Sequence, residues 1–156
     1  MASVSTIRPA TAADLDAIAA AERVCFPDPW SREALGELLG ASGTTALVAT
    51  TAAAGTVVGY LIARAVLDEA EILNVVVLPG ARRAGLGGQL IGRGLEALVQ
   101  LGARAIFLEV RESNRVARDL YERHGFRPIG VRAAYYRSPV EDAIGYRWES
   151  SPASKR

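Results

Sequence analysis

Cysteine and histidine are almost missing from this chain: 156 residues hold one of each, Cys25 and His124. A lone cysteine excludes an internal disulfide and fits a reducing, cytoplasmic setting. One cysteine with one histidine gives no metal cluster, so no metal is expected. Cys25, close to Pro27, reads as a small buried apolar residue. His124 falls at the end of a helical pattern, where the dipole favours a cation, and reads as structural. Long apolar runs are missing too. Half of the residues are hydrophobic, yet no run reaches membrane-spanning length, so no membrane contact is expected. No charged-then-apolar leader with a cleavage site occurs, which argues against a secretory signal. Strong charge of either sign is also absent. A net charge of +1, with scattered basic residues that are nearly all arginine, argues against sequence-independent nucleic-acid binding. There is no internal repeat. The length suits one domain with a proper core, expected over 1–149, followed by a polar, fraying tail at 150–156.

The most informative stretch is Arg82-Arg83-Ala84-Gly85-Leu86-Gly87-Gly88. It follows an apolar run, Ile72 to Leu78, and precedes an amphipathic run, Gln89 to Leu101, so it reads as strand, glycine loop, helix. Such a loop exposes backbone N–H groups at a helix N-terminus, where the dipole favours a phosphate or pyrophosphate. The glycines allow close approach of a ligand, and the two arginines add fixed positive charge. It is not a Walker A loop, because no Gly-Lys-Ser/Thr follows. Nor is it a dinucleotide fingerprint: Leu90 stands where a third glycine or alanine is wanted, and no ribose-binding acid follows at the usual distance. Further on, Asn114 is placed to cap a helix in which Val116, Ala117, Leu120 and Tyr121 recur at helical spacing. Gly125 suits a left-handed C-cap, and Phe126 returns to the core.

Arg-x-x-Gly-x-Gly after a strand resembles the coenzyme A loop of the GNAT superfamily of N-acetyltransferases. Asn114-x-x-Ala117-x-x-Leu120-Tyr121 with Gly125-Phe126 resembles that superfamily's second motif. The chain is closer still to its RimI-like branch, the N-terminal alanine acetyltransferases of ribosomal protein. That likeness rests on Leu67-Asp68-Glu69-Ala70, Leu73-Asn74, Leu108-Glu109-Val110-Arg111, Ser113-Asn114, Glu141-Asp142-Ala143-Ile144, Phe26-Pro27 with Trp30-Ser31, and Tyr135-Tyr136. It runs from about Ile7 to Trp148. It departs at Pro79-Gly80-Ala81, on the approach to the loop, and at Asp28-Pro29, which lengthens the Phe-Pro-Trp segment beside the acceptor mouth.

The order of patterns gives an α/β (α+β) domain. Strands are expected at Val4–Arg8, Thr45–Thr51, Thr56–Val66, Ile72–Leu78, Ala105–Val110, Arg127–Arg132 and Gly145–Glu149. Helices are expected after Thr11, after Ser31, from Gln89 and from Asn114. That makes an open, mixed sheet of about seven strands with about four helices on its two faces. The resemblance implies the GNAT fold, a mostly antiparallel sheet whose Ile72 and Ala105 strands run parallel and splay apart to admit the pantetheine arm.

Acetyl transfer to an amine needs a base for the amine, a donor for the oxyanion and an acid for the thiolate. The resemblance implies acetyl-CoA as cosubstrate, direct transfer in a ternary complex, Glu109 as base, directly or through water, and Tyr121 as acid. Backbone N–H groups of Val75, Val76 and Val77 are expected to hold the oxyanion and pair with pantetheine. Arg82, Arg83, Ala84, Gly85, Leu86, Gly87 and Gly88 are expected at the pyrophosphate, and Asn114 at the pantetheine or the coenzyme. Tyr135 and Tyr136, in the connection before the last strand, would hold the acceptor backbone, opposite a wall of Phe26 and Trp30. Glu69, with Asp68, Glu71 and Glu141, could offer negative potential to a cationic N-terminus. The implied acceptor is a protein or peptide N-terminus, an alanine of a small-subunit ribosomal protein. A relaxed-specificity or small-molecule amine acetyltransferase is the alternative. A coenzyme-binding module without turnover is a third reading, and the presence of both Glu109 and Tyr121 speaks against it.

Overall fold

Alternating apolar residues along seven extended segments sort into one sheet. A computed structural model describes residues 4–82 and 85–150. Arg83 and Ala84 of the expected loop, and residues 151–156 of the expected tail, lie outside the described residues. The strands are β1 (Val4–Pro9), β2 (Thr44–Thr51), β3 (Val57–Val66), β4 (Glu69–Val77), β5 (Ala105–Arg111), β6 (Arg127–Tyr136) and β7 (Glu141–Glu149). Their order is β1-β2-β3-β4-β5-β7-β6. Every neighbouring pair is antiparallel except β4 and β5, which are parallel.

Four α-helices cover the two faces: α1 (Leu15–Cys25), α2 (Arg32–Leu39), α3 (Leu86–Gln100) and α4 (Arg115–Arg123). Helices α1 and α2 bury Ile18, Ala19 and Leu35 against Val48, Tyr60, Ile62 and Val76 of the sheet. On the opposite face, α3 sets Leu86, Leu90, Ile91, Leu95 and Leu98 against Leu61, Ile72, Ile106 and Leu108, and Tyr121 of α4 joins them. Two of the helices, α2 and α4, start at a side-chain cap. Ser31 Oγ accepts from the Ala34 N–H at 3.0 Å, and Asn114 Oδ1 accepts from the Ala117 N–H at 3.2 Å. Ahead of α1, the Asp14 carboxylate accepts from the Thr11 N–H and from both terminal nitrogens of Arg8.

The feature that positions the site is a parting of strands. β4 and β5 pair only at Glu69–Ala105, Ala70–Ile106 and Glu71–Phe107. On its other side β4 stays paired with β3 up to Val77 opposite Gly59. Ile62 faces Asn74 while Ala63 faces Ile72, so Leu73 is an extra, bulged residue just beyond the last β4–β5 pair. A bulge bends the strand and increases its twist, which swings β4 away from β5. β5 meanwhile follows β7 as far as Arg111 opposite Ala143. A wedge opens between them.

Three starts differ from the sequence reading by three residues or more, and one assignment differs in kind. β4 begins at Glu69, α3 at Leu86 and β7 at Glu141, and Tyr135-Tyr136 end β6 instead of lying in a connection. Acidic and glycine residues read poorly as strand or helix, yet pairing with neighbours overrides local propensity. β6 hides its last turn because Ala134 has φ +52 and its pairing shifts between Arg132 and Tyr136. Asp142 Oδ1 accepts the Ala134 N–H at 2.8 Å within this bulge.

A Cβ added at Gly59 would stand 2.7 Å from the Val76 carbonyl oxygen, inside the β3–β4 ladder. Gly59→Ala is therefore expected to destabilise the fold by about 1–3 kcal/mol, read as a lower urea midpoint. An unchanged midpoint contradicts this packing.

Candidate active site

The open edge of β4 is lined with main-chain groups. The Leu78 N–H donates to Val58 of β3 at 2.8 Å, so alternation turns Val76 toward β3 and leaves Val75 and Val77 facing the wedge. Arg82 Nε donates to the Val77 carbonyl at 2.9 Å, on that free edge. Its Nη2 lies 3.9 Å from Cys25 Sγ. Gly85 has φ +77, a left-handed conformation that glycine adopts without penalty, and it turns the chain into α3. The Gln89 N–H bonds to the Gly85 carbonyl at 3.1 Å, which closes the first turn. The N–H groups of Leu86, Gly87 and Gly88 precede that bond and have no acceptor within the helix. A row of orphan donors at the positive end of a helix fits a pyrophosphate. The glycines also bring α4 close: Cβ atoms at Gly87 and Gly88 would meet Leu120 at 3.0 Å and His124 at 3.4 Å. His124 Nδ1 lies 3.0 Å from the Leu120 carbonyl, consistent with a structural part for the ring.

On the α1 side of the sheet the parting leaves a trough of about 560 Å³ lined by Glu69, Glu71, Leu73, Phe107, Glu109 and Arg132, among others. Glu109 points into it because strand alternation sends Leu108 and Val110 to the opposite core. Its carboxylate pairs with Arg132 Nε at 2.8 Å. Burial, and then the charge of Glu109, push the Glu71 carboxyl above its ordinary range. Tyr135 and Tyr136 border this side, edge to face at 5.0 Å. Arg132 lies over the Tyr135 ring at 5.3 Å and Arg111 over the Tyr136 ring at 4.6 Å. Arg111 also donates to the carbonyls of Arg137 and Pro139, at 2.8 and 2.9 Å, and so secures the β6–β7 hairpin. Glu141 accepts from the Ser113 N–H at 2.5 Å and from Arg111 at 3.2 Å, so it is a latch, not a free acid facing an acceptor.

Tyr121 lies across the sheet from Glu109. It is 8% exposed, packed against Phe126 and Tyr146. Among the described residues its hydroxyl makes no hydrogen bond. Burial, reinforced by Tyr136, pushes its phenol up to about 12. It therefore keeps its proton across the whole neutral range. Asn114 stands at the α4 N-cap, on the far side of the wedge from α3.

Phe26 and Trp30 do not line the trough. They lie in the loop between α1 and α2, where Phe26 packs against the cluster that holds Ile18, Tyr60 and Val76. Sequence reasoning missed Arg132, Arg111, Glu22 and Asn74. Glu22 is 2% exposed. A glutamate on the apolar face of an amphipathic helix was the one local signal available for it.

Tyr121 and Tyr136 both ionise near 12, against about 10 for a free phenol, Tyr136 through burial and then the charge of Glu109. A raised folded-state pKa stabilises fully below the unfolded value and is lost as pH rises through the folded one. Their contribution to the urea midpoint should hold up to about pH 10 and fall between about 10 and 12. Complete phenolate absorbance near pH 10 with the fold intact contradicts this.

The acetyltransferase (GNAT) family model matches residues 15–126. The [ribosomal protein bS18]-alanine N-acetyltransferase of Haemophilus influenzae is 34% identical over 136 residues, 87% of this chain and 90% of that protein. The Escherichia coli protein of the same name is 33% identical over 143 residues, 90% of this chain and 95% of that one. The crystal structure of the ribosomal-protein-S18-alanine N-acetyltransferase from Escherichia coli superposes with a TM-score of 0.86 at 32% identity, covering 94% of each chain. Arabidopsis thaliana NAA60 in complex with acetyl-CoA superposes with a TM-score of 0.85 at 18% identity, which shows a shared fold alone. A splayed β4–β5 pair, a glycine-led helix N-terminus beside it and this likeness along nearly the whole length agree: the chain belongs to the acetyltransferase (GNAT) family and is an N-acetyltransferase.

Proposed function

We propose that this enzyme transfers acetyl from acetyl-CoA to the α-amino group of an N-terminal alanine on a small-subunit ribosomal protein, bS18, in the cytoplasm. The observation that carries the reading is the likeness to enzymes of that name, which spans both the α3 loop and the trough around Glu109.

Acetyl-CoA supplies an acetyl group already activated as a thioester. The N–H groups of Leu86, Gly87 and Gly88, with Arg82 and Arg83, hold its pyrophosphate. Gly85 shapes the turn, and Asn114 contacts the arm from α4. Val75 and Val77 offer their N–H groups to the arm and to the acetyl oxygen, while Val76 anchors the segment to β3. The acceptor's N-terminus lies in the trough with Glu69 adding negative potential, and the residues that follow it leave through a mouth between Tyr135-Tyr136 and the Phe26–Trp30 loop. Glu109 takes the proton of the α-ammonium, directly or through one water. An α-amino group titrates near 8, so a carboxylate suffices. Arg132 marks the cation position beside Glu109, and the incoming ammonium takes that place. Tyr121, neutral up to about 12, gives its proton to the departing sulfur from the other face of the sheet.

Tyr121→Phe should lower kcat by about 100-fold with acetyl-CoA affinity nearly unchanged. Glu109→Gln should also cut kcat, most at low pH where more of the acceptor is protonated. Unchanged turnover in either removes that residue from the mechanism. A panel of N-terminal peptides and free amines, incubated with acetyl-CoA and read by mass spectrometry, tests the acceptor. Acetylation of alanine-starting peptides at the α-amine is expected. Modification of polyamines but of no peptide establishes the small-molecule alternative instead, and coenzyme binding without any product establishes a non-catalytic module.

A further inference from the structure

The loop that carries Phe26 and Trp30 has no regular structure, holds Pro27 and Pro29, and is closed by a single residue of α1. The Glu22 carbonyl accepts the Phe26 N–H at 3.0 Å, and Glu22 Oε2 accepts the Trp30 N–H at 3.0 Å. One residue thus grips both ends of the segment. Its other oxygen, Oε1, accepts from Asn74 Nδ2 at 2.8 Å and from the Tyr60 hydroxyl. A carboxylate that is 2% exposed is costly unless its lone pairs are filled, and here three donors fill them.

The far ends of these bonds matter as much as their number. Asn74 follows the Leu73 bulge, where β4 leaves β5, and precedes Val75, whose main chain faces the wedge. Leu73 lines the trough, and both it and Phe26 pack against the cluster formed by α1, α2 and the sheet. Tyr60, in contrast, lies in the middle of β3, and its bond to Glu22 runs to Oε1, not to the oxygen that holds the loop. The carboxylate is therefore a rigid spacer between an irregular loop and the bulge.

We infer that Glu22 is a positioning residue: through Trp30 and Asn74 it sets the distance between the Phe26–Trp30 loop and β4, and so the width of the acceptor mouth. This rests on the proposed acceptor site, in which that loop forms one wall. It assigns Glu22 no contact with either substrate. A spacer acts on the acceptor, because α3, whose first N–H groups hold the pyrophosphate, packs against the other face of the sheet.

The experiment compares Glu22→Gln, Asn74→Ala and Tyr60→Phe in the full chain. Each is read by thermal unfolding, by steady-state kinetics with acetyl-CoA and an alanine-starting peptide, and by amide exchange over residues 26–31. Gln keeps the volume of Glu22 but turns one acceptor into a donor. Glu22→Gln and Asn74→Ala should raise KM for the peptide by about tenfold with KM for acetyl-CoA unchanged, since small misplacements of a binding wall act on the substrate it holds. Glu22→Gln should also speed exchange at Trp30. Tyr60→Phe removes only the donor remote from the loop, so it should lower Tm and leave peptide KM and Trp30 exchange as they are. A fall in Tm with peptide KM unchanged in both Glu22→Gln and Asn74→Ala makes the network a mere strut and overturns the inference. If Glu22→Gln does not fold, Asn74→Ala decides alone. If the wild type acetylates no peptide, the acceptor reading fails separately, and Trp30 exchange that is equal in Glu22→Gln and wild type refutes the spacer.

Discussion

The structure turns on a missing set of strand-to-strand hydrogen bonds. Past Glu71–Phe107 the parallel pairing of β4 and β5 stops, and β4 runs on to Val77 with a partner on only one side. Unpaired backbone donors and acceptors inside a domain are costly, and native proteins rarely leave them so. A bulge at Leu73 enforces the parting, and pairing with β3 keeps the freed segment straight. The cost is justified where something strand-like is to be received, and in the proposed mechanism the main-chain groups of Val75 and Val77 receive it.

Around this wedge the chemistry divides by sheet face. Strand alternation sends Glu109 to the trough with Glu71 and Arg132, and sends Leu108 and Val110 to the core that holds Tyr121. A proton acceptor in an open, charged trough and a proton donor in an apolar core answer to different fields. Arg132 at 2.8 Å keeps a cation beside the carboxylate, whereas burial, reinforced by Tyr136, keeps the Tyr121 phenol neutral up to about 12. The wedge between β4 and β5 opens where their pairing stops.

What the sequence made legible was local. Gly85, Gly87 and Gly88 before an amphipathic run announced a helix N-terminus, and Asn114 with Gly125 bracketed α4. The parallel pair followed from family resemblance, because nothing in residues 69–77 alone says which neighbour they lose. Arg132 was unreadable as the partner of Glu109, since it comes from β6, placed beyond β7 in the sheet. Tyr135 and Tyr136 read as a connection because the bulge at Ala134 breaks the strand pattern. Glu22 stood on the apolar face of α1 with no partner legible nearby in the sequence. Only the assembled fold brings Tyr60, Asn74 and the Trp30 N–H, from three distant segments, onto one carboxylate.

The central claim is that the free edge of β4 receives the coenzyme arm. Residue-resolved amide exchange with and without acetyl-CoA tests it most directly. The account predicts new protection at Val75 and Val77 and at Leu86 to Gly88, with Val76, already bonded toward β3, unchanged. Protection confined to other strands, or none along β4, contradicts it.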